Sequence, residues 1–260
     1  MKNVTLMSKK NRKITLGTKE WANSNANCYY GCSNNCRYCY AKKMAIRFKR
    51  KTEDNWKIME PNKKAIKKGY SKRKGRIMFP TSHDITPESL SGSLILLKKL
   101  LDSNNDVLIT TKPNLSCVKI ICNNFYKKKD LIQFRFTITS FNNDLLSFWE
   151  PKAPLFEERL ESLKHAFKMG YKTSISIEPF LDNNPFILID KLIPYVTESI
   201  WIGKMNYFQT RNFTQKEESY FKFIRRINSK VNLLKIVQGS KNHSSSLIKL
   251  KDSIINYINK

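Results

Sequence analysis

Four cysteines fall within twelve residues, in Cys28-Tyr-Tyr-Gly-Cys32-Ser-Asn-Asn-Cys36-Arg-Tyr-Cys39, and the last three form a C-x3-C-x2-C triplet. Three thiolates at this spacing can each bind one iron of a [4Fe-4S] cluster and leave the fourth iron without a protein ligand, open for chemistry. The same thiols allow a four-cysteine zinc site with Cys28 as the extra ligand. Structural zinc sites pair two short knuckles, however, and the sequence has no second one. A ferredoxin-type electron carrier would add a fourth cysteine downstream beside a proline, and none is apparent. Cys28 reads as a packed thiol or one lying behind the ligands. Cys117 and Cys122 lie on a predicted helix and read as buried.

The surrounding elements decide where such a loop would point. After a basic arm (1–20), Trp21 to Asn27 reads as a first strand leading into the cysteine loop (28–40), and Ala41 to Lys51 as a basic helix. Strands are predicted at 76–82, 106–111, 132–139, 172–178, 199–203 and 232–237. The strand at 132–139 alternates in part, which suits a half-polar barrel interior. Helices are predicted between the strands. One opens at Thr86-Pro87-Glu88, where Thr caps and Pro suits the first helical position. Others span 114–126, 185–195 and 215–229. The clearest runs from Pro154 to Met169, with Phe156, Leu160, Leu163 and Phe167 on one apolar face and Gly170 as its stop. A terminal helix is predicted from Ser244 to Ile258, within a segment 241–260 packed on a barrel domain of 21–240. Alternation of strand and helix implies parallel strands joined by right-handed crossovers. The fold class is therefore α/β. Six or seven βα units fall short of the eight that close a full barrel, so a partial (β/α)6-7 barrel is expected, with its site at the C-terminal strand ends. The cysteine loop follows the first strand and lies at that end.

Composition bounds the partners. The chain has 260 residues and is 40% hydrophobic, enough for a substantial core. No apolar run approaches the ~18 residues of a membrane span and no signal peptide opens the chain, so the cytoplasm is the expected location. The formal charge is +27, from 48 Lys and Arg against 21 Asp and Glu. A compositional bias toward Lys, Asn and Ile explains the lysines but not the shortage of acids, which points to a polyanionic partner. The excess is uneven. Between Lys42 and Arg76 there are fifteen basic residues and three acidic ones, which suits phosphate contacts that position a nucleic acid without reading its sequence. Position at strand ends also singles out His83, Asp84 and Glu178, each of which has an ordinary alternative as a turn or salt bridge.

Cys32-x3-Cys36-x-Tyr38-Cys39 resembles the signature of radical S-adenosylmethionine (SAM) enzymes, in which an aromatic residue precedes the third cysteine. The resemblance implies a partial barrel, a [4Fe-4S] cluster held by Cys32, Cys36 and Cys39, SAM on the open iron, and reductive cleavage of SAM to a 5′-deoxyadenosyl radical. An electron donor such as flavodoxin or ferredoxin is implied with it. A narrower resemblance, over about residues 21 to 206, is carried by Asn27 to Ala41, Thr139-Ser140, Trp149-Glu-Pro-Lys-Ala-Pro154, Glu157-Glu-Arg-Leu160 and Ile177-Glu-Pro179. These segments are similar to the spore photoproduct lyase-like branch, which includes a thymine-dimer repair lyase and many phage-encoded relatives. That likeness implies that Tyr38 packs near the adenine, Ser82 approaches SAM, Lys112 pairs with the SAM carboxylate, and Thr139 and Ser140 lie near the ribose. Glu178 is placed to bond the ribose or substrate.

One departure stands out. The lyase carries a hydrogen-donor cysteine immediately before its Thr-Ser-Asp stretch, and this chain has Pro80 there. The expected function is a radical SAM enzyme acting on DNA or RNA through the basic segment 42–76. Two rivals remain: a zinc- or Fe-S-containing nucleic-acid-binding protein without turnover, and a radical SAM enzyme acting on a peptide or small molecule.

Overall fold

In the computed structural model, which describes residues 17–207 and 213–259, strand and helix alternate as the pattern requires. Most of the basic arm (1–20) lies outside the described residues; Gly17–Glu20 forms a single turn. In chain order come β1 (Ser24–Asn25), β2 (Tyr29–Tyr30), α1 (Tyr40–Arg47), β3 (Glu60–Pro61), α2 (Lys63–Lys67), β4 (Ile77–Phe79), α3 (Leu90–Asp102), β5 (Val107–Thr111), α4 (Leu115–Phe125) and β6 (Ile132–Thr137). There follow α5 (Asn143–Trp149), α6 (Phe156–Lys168), β7 (Lys172–Ile177), α7 (Pro185–Leu192), β8 (Ser199–Ile202), α8 (Gln215–Ile227), α9 (Lys230–Asn242), β9 (Ile248–Leu250) and α10 (Asp252–Ile258). Among the described residues, no helix is long and apolar enough to cross a membrane.

Seven strands form one parallel sheet in the order β1-β4-β5-β6-β7-β8-β9, leaving β1 and β9 as free edges. The fold is thus α/β, a partial barrel of the expected kind. All strands run the same way, so the ends that follow them share one rim. The polar alternation of β6 has its cause in the barrel: Gln133 and Arg135 point inward to Ser174 of β7, while Phe134 and Phe136 are fully buried in the hydrophobic core. Across the gap between the edges, Lys251 after β9 reaches Glu20 at 3.2 Å, and Trp21 meets Trp201 edge-on at 5.9 Å.

Two predicted elements are wrong. Residues 232–237 are not a strand but the middle of α9, where Leu233 and Ile236 are buried while Val231 and Leu234 are exposed. That spacing of three follows helical periodicity, and Ser229 caps the helix by accepting from the Asn232 N–H at 3.4 Å. The final strand is β9, inside the segment predicted as one terminal helix (244–258); only Asp252–Ile258 is helical. Ile248 to Leu250 pairs with β8, and tertiary hydrogen bonding outweighs local preference in a three-residue segment.

The apolar face of α6 is also rotated from the predicted one. Phe156 and Leu163 are buried as expected, but Arg159 and Ala166 accompany them, whereas Phe167 is exposed. Arg159 is drawn inward by the buried carboxylate of Glu150.

Candidate active site

The cysteine loop is fixed by backbone geometry before any side chain acts. Gly31 has φ +82°, and a Cβ there would fall 2.4 Å from the Ile58 carbonyl oxygen and 2.6 Å from that of Trp56. Only glycine allows this approach. It lets the Cys32 N–H donate to the Trp56 carbonyl at 3.0 Å, while Asn62 N–H donates to the Cys28 carbonyl at 2.8 Å. The loop therefore rests on the 56–62 stretch of the basic insertion, where β2 of the loop pairs antiparallel with β3.

The four thiols separate into two kinds. Cys28 is fully buried, its Sγ 3.6 Å from Ser93 Oγ and 3.8 Å from His83 Nε2, and burial pushes its pKa up to about 12. His83 Nε2 accepts from the Cys28 and Tyr29 N–H groups, so its Nδ1 carries the proton and donates to the Asp84 carbonyl at 3.0 Å. Burial lowers the His83 pKa, consistent with a neutral ring. His83 thus anchors the loop, and Cys28 packs behind it. Cys117 and Cys122 are buried on α4, as predicted.

Cys32, Cys36 and Cys39 face a shared space with Lys112, Asp84 and Glu150. Burial is the largest influence on all three and raises each pKa, Cys32 to about 12; Lys112 pulls each the other way. Cys39 also caps α1, its Sγ accepting from Lys42 N–H at 3.4 Å, where the helix N-terminus favours a thiolate. Among the described residues, no three His, Cys, Asp or Glu side chains gather closely enough to hold a single metal ion. A cubane asks for a different arrangement, one thiol for each of three separate irons, and the triplet, with Cys32 and Cys36 buried and Cys39 half-buried beside a lysine, fits that demand.

Two carboxylates, Asp84 partly buried and Glu150 wholly so, organise the rim. Asp84 accepts from Lys112 N–H at 2.7 Å, Thr111 Oγ1 at 3.0 Å and Asn34 Nδ2 at 2.9 Å, with Lys112 Nζ at 3.6 Å. Burial alone would raise its pKa, but Lys112 and these donors outweigh it and hold the carboxyl below its usual range. Conversely, burial opposes the Lys112 charge, yet Asp84, Cys36, Tyr38 and Glu150 hold its pKa well above the ordinary value. Lys112 stays a cation, 5.8 Å from the Tyr38 ring centroid.

Glu150 is the second hub. It accepts from the Tyr38 hydroxyl, from Thr139 Oγ1 at 2.8 Å and from the Arg159 guanidinium, and both members of the Arg159 pair are wholly buried. Burial would raise its pKa; Arg159 first and Lys112 next reverse that and keep it ionised. The sequence alone assigns no role to Glu150 or Arg159. A signal existed, because Arg159 lies three residues after Phe156 and four before Leu163, on the apolar stripe of α6, where a cation demands a buried anion.

The remaining predicted residues divide. Lys112, Tyr38 and Thr139 converge on the space beside the triplet through Asp84 and Glu150. Ser82 lies beyond the end of β4, its N–H donating to Asn27 Oδ1 at 3.0 Å. Ser140 donates to Asp182, whose carboxyl burial lifts to about 6. Glu178 stands apart, with its carboxylate 3.7 Å from Lys251 and its pKa raised by burial. Its partner is the ion-pair cluster at the open edge, which is the salt-bridge alternative of the sequence reading.

Residues 26–184 match the model of the radical SAM superfamily. The match spans more than half of the chain, and the chain belongs to that superfamily. It is a SAM-cleaving radical enzyme whose cofactors are a [4Fe-4S] cluster and SAM. An uncharacterised protein of Methanocaldococcus jannaschii is 27% identical over 195 residues, 74% of this chain and 71% of that protein. An uncharacterised protein of Acidianus two-tailed virus is 28% identical over 166 residues, 59% of this chain and 54% of that protein. A solved cysteine-to-serine mutant of spore photoproduct lyase superposes with a TM-score of 0.51 at 15% identity, over 85% of this chain and 64% of that one. The likeness is one of fold, and the chain spans less than two thirds of the lyase.

Proposed function

We propose that this chain is a spore photoproduct lyase-like radical SAM enzyme that acts on a nucleic acid held against its basic insertion. One observation carries the substrate class. Of the fifteen basic residues between Lys42 and Arg76, eleven are exposed, on the same segment that supports the cysteine loop. A polyanion bound there lies beside the rim. The other four have structural work: Lys51 is buried and pairs with Glu60 at 2.7 Å, Lys42 pairs with Glu53 at 2.5 Å, Arg73 reaches Ser24 and Asn25, and Arg76 bonds Gln133 inside the barrel.

In this reading Cys32, Cys36 and Cys39 hold the cluster. When bound and reduced, by a donor such as flavodoxin or ferredoxin, it supplies the electron that cleaves SAM to a 5′-deoxyadenosyl radical. The chain's own groups orient and shield. Lys112, kept cationic by Asp84, presents a charge to a carboxylate. Tyr38, fixed by Glu150, offers a ring face. Thr139, Ser140 and Ser82 supply hydroxyls at the strand ends. Pro80 provides no thiol where the lyase has its donor, so hydrogen return follows a route different from the lyase relay.

The test is anaerobic reconstitution with iron and sulfide, followed by dithionite, SAM and separate DNA and RNA substrates. Expected are 5′-deoxyadenosine and a mass-shifted nucleoside, together with binding that weakens steeply between low and moderate salt. Affinity indifferent to salt would overturn the nucleic-acid reading.

A further inference from the structure

α1 is capped by Cys39 and carries an exposed face unlike the rest of the insertion. Tyr40, Lys43 and Arg47 are exposed at spacings of three and four, and the stripe continues through Phe48 and Arg50 past the helix end. Tyr40 is 48% and Phe48 53% exposed, and Tyr207, 45% exposed, lies against Tyr40 at 6.4 Å with the rings 30° apart. Cations flank these rings. Lys43 Nζ is 5.2 Å from the Tyr207 centroid, and Arg47 and Arg50 are 5.8 and 5.2 Å from that of Phe48.

Large rings left in water on a charged helix contribute nothing to the core and make association easier. Met44 and Ile46, the other large apolar residues of α1, are half-buried rather than exposed. We infer that the Tyr40–Tyr207–Phe48 face is a stacking platform for unpaired bases, so that the nucleic acid engages this enzyme as a single strand or a locally opened one. This rests on the nucleic-acid reading above and narrows it. Cations alone recognise phosphate or an acidic protein surface, whereas interleaved rings add a site for flat π faces, which a closed duplex keeps hidden inside its stack. Tyr40 and Phe48 are eight residues apart, about 12 Å along a helix, which is room for a few nucleotides. The platform starts one residue from Cys39, so it would lead an unstacked base towards the rim.

The test uses the full chain, a fluorescently labelled single-stranded oligonucleotide of mixed sequence and the matching duplex, read by anisotropy across a salt series. The single strand is expected to bind more tightly. Phe48→Ala and Tyr40→Ala should each weaken it about tenfold with an unchanged salt slope, in line with about 1–3 kcal/mol per stacked base. Phe48→Leu, which keeps the apolar bulk and loses the π face, should behave like Phe48→Ala. Lys43→Gln should instead make the salt slope shallower by about one. Duplex binding as tight as single-strand binding, or aromatic variants that bind like wild type, would overturn the platform while sparing the nucleic-acid reading. So would variants that bind nucleic acid normally but are reduced more slowly by an acidic flavodoxin, which would make the face a donor dock. Failure of both strand forms to bind would overturn the nucleic-acid reading itself. Unchanged circular dichroism and iron content in each variant separate these outcomes from misfolding.

Discussion

The rim and the insertion use the same charged residue types to opposite ends. At the rim, Asp84, Lys112, Glu150 and Arg159 are enclosed and matched, anion against cation, with further donors on each carboxylate. In the insertion, fifteen cations face three acids and most stand in water. Burial makes an unmatched charge costly to keep, so these four rim charges come in pairs and hold geometry. Exposure removes that cost, so surface charges can remain unmatched and available to a partner.

The sharpest test of the contrast is at the thiols. Cys32→Ala should abolish cluster assembly and 5′-deoxyadenosine formation, while Cys28→Ala retains most of both, measured by iron content and product chromatography. Equal loss in the two variants would erase the distinction between rim and support. Next in size is Arg159→Met, which strands Glu150 and should cost about 3–5 kcal/mol in urea unfolding. A loss under about 1 kcal/mol would mean that the pair is not a buried brace.

The surface half of the comparison predicts the reverse pattern. Replacing Lys63, Lys64 and Lys67 together by Gln should leave stability within about 0.5 kcal/mol per site, yet flatten the salt dependence of nucleic-acid binding by about one unit of slope per lost phosphate contact. A large stability loss would show that these lysines are structural after all.

The smallest effect concerns Asp182. Burial lifts its pKa from an ordinary 3.8 to about 6, so the fold prefers the protonated acid. Its contribution is fully present below about pH 4 and is lost as pH rises through 6. Asp182→Asn should therefore flatten the unfolding free energy between those values, and parallel wild-type and variant curves would refute the assignment.

Much of this was legible in the chain because the signals were local. The cysteine spacing, the Thr86-Pro87 helix start and the alternation in Ile132–Thr137 each report a short-range constraint. The errors arose where several residues matched two periods at once. Asn232 to Val237 has the β-branched and apolar content of a strand, and only packing of Leu233 and Ile236 against their neighbours selects the helix. Ile248–Leu250 is too short to announce itself and becomes a strand because β8 offers it an open edge.

The sequence by itself determined that three thiols sit in one loop, that the strands run parallel and that the surface is strongly basic, because spacing, alternation and charge are written along the chain. Tertiary structure alone decided which charges meet. Glu150 is 112 residues from Tyr38, and Asp84 is 28 from Lys112. Nothing local couples them; folding does, because a buried charge must find its counter-charge wherever the barrel brings one.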